Sequence, residues 1–243
     1  MRVLQPFLIA LQLLTIIPTR IKTPVKAQDM GYSVLFYPLV GGLMASILVL
    51  IAWLLAAQSS WVVAVMVLSS WVILTGGLHL DGLADSADAW LGGLGDKEKT
   101  LRIMKDPASG PIAVVGLMLV LLLKFIMLNE LILQQHWISM VLALVLARSA
   151  LPLLFMTTPY VRKQGMAAVL VANIPHAYSW LLLVIMGLLT LWVAQGVLLI
   201  AVIGVFLLLR YAMLQRLDGT TGDTAGAMVE LIEVVVLMVA VII

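Results

Sequence analysis

Apolar residues run along this chain in long unbroken stretches, and the polar segments between them are of two contrasting kinds. The apolar runs are Val34–Ala57, Trp61–Leu78, Pro111–Leu133, Trp137–Thr158, Tyr178–Ala194, Val197–Leu214 and Ala225–Ile243. Several reach the roughly 20 residues that carry a helix across the hydrocarbon of a bilayer. Backbone polar groups in lipid have to be satisfied internally, so only helices or a closed barrel qualify. Barrel strands alternate apolar and polar positions, and these runs do not, which excludes a barrel. The expected fold is all-α: a polytopic integral-membrane helical bundle, about six to seven transmembrane helices, forming one domain over residues 1–243. An eighth run, Val3–Pro18, is short and reads as a re-entrant or interfacial segment. It is followed by "IPTRIKTP" rather than by a small-residue cleavage site, so it is not read as a signal peptide.

The polar segments give the chain a sidedness. Gln58-Ser59-Ser60, Gln134-Gln135-His136 and Gln195-Gly196 are short turns without Lys or Arg. The long segments His79–Gly110, Pro159–His176 and Gln215–Thr224 alternate with them. They hold Lys97, Lys99, Arg102, Lys105, Arg162, Lys163 and Arg216. A basic stretch, Arg20, Lys22 and Lys26, follows the first run. By the positive-inside rule the long segments are expected on the cytoplasmic side.

Composition agrees with this picture and narrows the chemistry. The 243 residues are 63% hydrophobic and 11% charged, where a soluble domain is nearer a quarter charged. There are no cysteines, which removes disulfides, thiolate catalysis and iron–sulfur clusters. A net charge of +2 is too small to point to nucleic acid.

Against that background one stretch stands out. "GGLHLDGLADSADAW", Gly76–Trp90, places Asp81, Asp85 and Asp88 at i, i+4 and i+7. On a helix the three share a face. Carboxylates so close together beside a membrane are costly unless a cation sits among them. Oxygen-rich, partial ligand sets suit Mg²⁺ or Mn²⁺ bound jointly with substrate phosphates. The plain alternative is a solvated loop, which the apolar flanks disfavour. A second motif, "RIMKDPASGP", offers Asp106 as a further ligand and Lys105 as a phosphate contact, or simply an exposed ion pair and a turn. A third, "LDGTTGDTAGAMVELIE", brackets a Gly-Thr-Thr-Gly turn with Asp218 and Asp223. Such a turn, with Gly222 in it, offers backbone N–H groups to an anion, and Thr224 is a candidate cap for the helix that follows. Glu230 recurs on the Asp223 face, two turns into an apolar segment, and joins the candidate metal ligands. Small residues at Gly222, Gly226 and Ala227 permit close approach of another helix or a ligand. Arg162 and Arg148 are candidate phosphate clamps, Arg148 having a buried ion pair as its alternative role. Lys124 and Glu130 lie inside one run, are candidates to pair with other helices and carry no assigned role in the chemistry.

Acidic, glycine-bearing motifs on one membrane face suggest a divalent-metal site acting on a phosphorylated substrate by phosphoryl-type transfer. The motifs also resemble those of the cobalamin synthase family, the adenosylcobinamide-GDP ribazoletransferases. "FYPLVGGLMA", "GGLHLDGLADSADAW", "RIMKDPASGPIAVVG", "YVRKQGM" and "DGTTGDTAGAMVELIE" match in order and spacing, over nearly the whole chain. The resemblance implies that alpha-ribazole, or its 5′-phosphate, attacks adenosylcobinamide-GDP. Adenosylcobalamin, or its phosphate, forms and GMP leaves in a Mg²⁺-dependent reaction. It implies a bacterial cytoplasmic membrane, with the active site toward the cytoplasm and lipid as the surrounding partner. It maps the family's acidic motif residues onto Asp81, Asp85, Asp88, Asp106, Asp218 and Asp223. Asp81, Asp85 and Asp223 are the expected catalytic carboxylates. Homo-oligomerisation stays open.

Three other readings compete, one of them a prenyltransferase, which would want paired DDxxD-type motifs that are missing. A phosphotransferase of the CDP-alcohol type also opens on Asp-Gly, but Asp81-Gly82-Leu83-Ala84-Asp85 has Ala one place early and Asp where that pattern has Arg. A cation-coupled transporter predicts carboxylates near the bilayer midplane and inverted repeats. Here most carboxylates sit at helix ends.

Overall fold

The structure, a computed structural model, describes residues 4–21, 24–162, 164–194 and 196–243. Val3, Lys22, Lys163 and Gln195, which figured in the expectations above, lie outside the described residues. Among those described, the chain is a helical bundle with no strand beyond one isolated bridge.

The helices are α1 (Leu4–Leu14), α2 (Ala27–Tyr32), α3 (Tyr37–Leu54), α4 (Ser60–Thr75), α5 (Leu78–Gly92), α6 (Lys97–Ile103), α7 (Pro111–Leu133), α8 (Trp137–Thr157), α9 (Met166–Ala172), α10 (His176–Val193), α11 (Gly196–Leu217) and α12 (Gly222–Ile242). Six stretches are long and apolar enough to cross a membrane: 27–54, 111–133, 137–157, 176–193, 196–217 and 222–242. The pair α4 and α5 makes a seventh if the two count as one broken span. The chain is a polytopic helical membrane protein. Helix α1 has 11 residues, roughly 16 Å at 1.5 Å per residue, and is too short to cross.

The first span begins earlier than its hydropathy suggests. It starts at Ala27 and continues through a 3-10 turn, Ser33–Phe36, into α3. The polar opening Ala27-Gln28-Asp29 hides this start. The Ser33 hydroxyl donates to the Met30 carbonyl at 2.6 Å and satisfies the tightened turn.

The larger departure is in the first long polar segment, most of which is helical. Gly76 and Gly77 both adopt left-handed backbone, with φ of 62° and 72°. A residue with a Cβ is penalised there. The pair ends α4, and α5 sets off at 85° to it. Helix α5 buries Leu83, Ala84 and Ala89, and its carboxylates are confined to one stripe.

Helices α8 and α12 form the interior, with α10 at the periphery. Helix α12 packs on α5, α7, α8 and α11, and α3 packs on α8. The main apolar cluster joins residues of α3, α4, α7, α8, α11 and α12, with Met44, Trp71, Leu144 and Met228 fully enclosed.

Candidate active site

Helix α5 and helix α12 touch at two glycines. A Cβ on Gly82 would lie 2.6 Å from the Asp223 carbonyl oxygen, and one on Gly226 would lie 3.3 Å from the His79 Cα. This contact brings the first and third acidic motifs together. The glycines responsible are Gly82 and Gly226. Gly222 was the expected partner of Gly226, but it is exposed, and a Cβ there would meet only the Tyr160 hydroxyl, at 3.7 Å.

The start of α12 is fixed locally. Thr221 is its N-cap and accepts from the Thr224 N–H, while the Thr224 hydroxyl accepts from the Thr221 N–H. This reciprocal cap is the one the Thr-Thr-Gly-Asp-Thr order makes available. Asp223 falls in the first turn, where a negative side chain complements the helix dipole.

Residues 159–162 run beside the turn that leads into α12. The Thr220 N–H donates to the Pro159 carbonyl and the Val161 N–H to the Thr220 carbonyl. That bridge delivers Arg162 to Asp223, at 2.5 Å. It also lays the Tyr160 phenol against the Gly222 backbone. Burial raises the Tyr160 pKa, with Asp223 adding to the effect and Arg162 opposing it.

Asp85 stands in the electrostatic field of Asp81, Asp223, Arg162 and Asp88. Asp81 is exposed, and Asp85 and Asp223 are half-buried. Beside them lies a cavity of about 440 Å³ lined by Leu101, Lys105, Val161, Arg162 and Gln164. The expected phosphate contacts Lys105 and Arg162 therefore face one space.

Other expected site residues are committed elsewhere. Asp88 shares the stripe with Asp81 and Asp85, yet its oxygens accept from the backbone N–H groups of Gly110 and Ala113. It caps α7 from a distance, which occupies one acceptor site on each of its oxygens. Asp106 is exposed and accepts from the Ala108 N–H at 3.0 Å, closing a turn. Asp218 pairs with Lys97 at 2.7 Å, on the surface.

Glu230 and Arg148 belong to a second constellation within the bundle. Lys124 of α7 lies between Glu230 and Glu233, 2.5 Å from Glu230, and Arg148 of α8 pairs with Glu233. All four are buried. Glu230 does share the Asp223 face, but Lys124 occupies its carboxylate. Arg148 takes its ion-pair role and is no phosphate clamp. Lys124 also lies 4.9 Å from the centre of the Trp71 ring. Two cations and two anions cancel, which is what burial among spanning helices requires. Lys124 pairs with another helix, as its place inside an apolar run suggested, whereas the role of Glu233 was missed although a charge inside an apolar run was the available signal.

Among the described residues no three His, Asp or Glu side chains converge closely enough to hold a metal ion by themselves. Mg²⁺ commonly takes one or two carboxylates and completes its shell with water and substrate phosphate. Asp81, Asp85 and Asp223 are the carboxylates from which those one or two can come.

Comparison with known proteins decides the family. The sequence model of the family described as cobalamin-5-phosphate synthase matches residues 6–241. The chain belongs to this cobalamin synthase family. A relative from Pseudomonas entomophila (strain L48), named adenosylcobinamide-GDP ribazoletransferase, is 52% identical over 236 residues, covering 96% of this chain and 97% of that one. A relative of the same name from Stutzerimonas stutzeri (strain A1501) is also 52% identical, covering 96% of each chain. A third of that name, from Acinetobacter baumannii, is 46% identical over 237 residues, covering 96% and 95%. No solved structure matches. Synthase-family membership thus covers every motif described above, from "FYPLVGGLMA" to Glu233.

Proposed function

We propose that this chain is an adenosylcobinamide-GDP ribazoletransferase of the bacterial cytoplasmic membrane, with its site toward the cytoplasm. The observation that carries the reading is the convergence of α5 and α12. It sets Asp81, Asp85 and Asp223 together, with Arg162 at Asp223, in a chain whose relatives bear that name. The basic residues Lys97, Lys99, Arg102, Lys105 and Arg216 gather in the segments at this same end, which supports the orientation.

In this reaction a ribazole hydroxyl oxygen forms a new bond to the phosphorus that carries the cobinamide. The bond from that phosphorus to the GMP oxygen breaks, and GMP leaves with the electron pair. Phosphoryl transfer of this kind is largely loose, so positioning and charge neutralisation supply most of the catalysis. Arg162 and Lys105 bind the diphosphate. The guanidinium fork of Arg162 matches phosphate oxygens better than a lysine would. Asp85, half-buried among Asp81, Asp223 and Asp88, is the candidate for orienting the attacking hydroxyl and accepting its proton. Asp81, Asp85 and Asp223 would hold Mg²⁺, which would supply positive charge at the diphosphate.

The test is an assay of the purified chain, reconstituted in vesicles, with adenosylcobinamide-GDP, alpha-ribazole and Mg²⁺. GMP release that depends on both organic substrates is expected. Release without alpha-ribazole, or none at all, would overturn the reading.

A further inference from the structure

The bundle contains a groove remote from the carboxylates. It opens between α8, α10 and α11, has a volume of about 580 Å³ and is lined mostly by apolar side chains, among them Leu153, Trp180, Val202 and Phe206. A volume of this size falls within the range of small-molecule sites, about 300–1,000 Å³. Gly187 of α10 also lines it, and a Cβ there would meet nothing within 4 Å. The groove therefore runs along spanning helices and has room beside that glycine.

One end of the groove is charged. Arg210 lines it. This residue lies seven positions before the end of α11, roughly 10 Å into the span. Its Nε donates to the Thr157 carbonyl and the Thr158 hydroxyl, and its Nη2 donates to the same carbonyl. Thr157 is the last residue of α8, so Arg210 reaches toward the end of the bundle that bears Asp223. Those partners cap the C-terminus of α8 and bring its partial negative dipole, but no formal negative charge. Among the described residues, no Asp or Glu lies within ion-pair distance of Arg210. The contrast with Lys124 and Arg148 is direct, since both are neutralised by glutamates. A guanidinium in a span without a counter-ion is costly.

We infer that this groove binds an anionic glycerophospholipid, with one acyl chain along α10 and α11 and its phosphate on Arg210. Charge complementarity selects the occupant. A zwitterionic lipid fills the apolar length and offers a phosphate, but its own ammonium leaves the site with the net positive charge of Arg210. An anionic one fills the length and neutralises that charge. The site is separate from the transfer reaction, and its test does not use activity.

The full-length chain is purified in detergent and equilibrated with mixed micelles of phosphatidylglycerol and phosphatidylcholine. Retained lipid is then identified by native mass spectrometry. Wild type is expected to enrich phosphatidylglycerol roughly five-fold over its share of the micelle, about 1 kcal/mol for one basic residue. Arg210→Gln, which keeps amide donors for Thr157 and Thr158, should lose the enrichment, and Arg210→Lys should keep it. Gly187→Phe, which fills the groove, should lose both lipids. Wild-type retention in the proportions of the micelle defeats the proposal without any variant. Enrichment that persists in Arg210→Gln defeats it as well.

Discussion

Arg162 reaches across 61 residues of sequence to meet the Asp223 carboxylate at 2.5 Å. Their side chains keep 29% and 20% of their exposure, so a phosphate arriving from solvent can compete for the guanidinium. Arg162→Gln should therefore weaken substrate binding and turnover together. A charged hydrogen bond is worth about 1.5–3 kcal/mol, which corresponds to a loss of roughly ten- to a hundred-fold in kcat/KM. Steady-state kinetics with varied adenosylcobinamide-GDP measure it. Arg162→Lys should recover only part, because it restores the charge without the fork.

Asp85→Asn keeps the shape of the side chain and removes its charge. On the proposed reading it should lower turnover on the order of a hundredfold and shift the Mg²⁺ dependence to higher concentration. Asp88→Asn should instead leave the Mg²⁺ titration unchanged and lower thermal stability, because Asp88 accepts the α7 N–H groups. Metal titrations of the two variants side by side separate the roles. An unaltered titration in Asp85→Asn counts against its assignment.

Asp81 and Asp223 are expected to work as one unit. Residues in such a unit lose activity non-additively. The double change Asp81→Asn with Asp223→Asn should cost little more than the worse single change. Fully multiplicative rate losses would show that the two act independently.

The α5–α12 contact makes a sharper prediction about glycines. Gly82→Ala puts a Cβ 2.6 Å from the Asp223 backbone, where no flexible side chain can yield. It should cost about 1–3 kcal/mol of stability, as overpacking does, and should reduce activity by displacing Asp223. Gly222→Ala meets only the Tyr160 hydroxyl at 3.7 Å and should be tolerated structurally. Thermal unfolding in detergent distinguishes the two.

Lys124→Met removes one cation from the buried four-charge cluster and leaves a net negative charge among the helices. Breaking a buried pair by deleting one partner costs about 3–5 kcal/mol. Combining it with Glu230→Gln restores neutrality and should regain much of the stability. Thermal melts of the single and double variants are the measurement. A single variant as stable as wild type would show that the cluster contributes nothing to the fold.

The membrane character of this chain could be read directly from its letters. Hydropathy is a local property, and runs such as Pro111–Leu133 and Trp137–Thr158 became α7 and α8 with almost the same bounds. The i, i+4, i+7 spacing of Asp81, Asp85 and Asp88 likewise announced a stripe, and α5 is helical across it. The fate of each carboxylate could not be read this way. Asp88 is occupied by an N–H 22 residues away, Asp218 by a lysine 121 residues away, and Glu230 by a lysine 106 residues away. An aspartate free to meet a substrate and one already neutralised are the same letter. Only packing, which brings distant donors to within a hydrogen bond, decided that Asp81 stays exposed, that Asp223 meets Arg162 and that Glu230 and Arg148 serve the bundle.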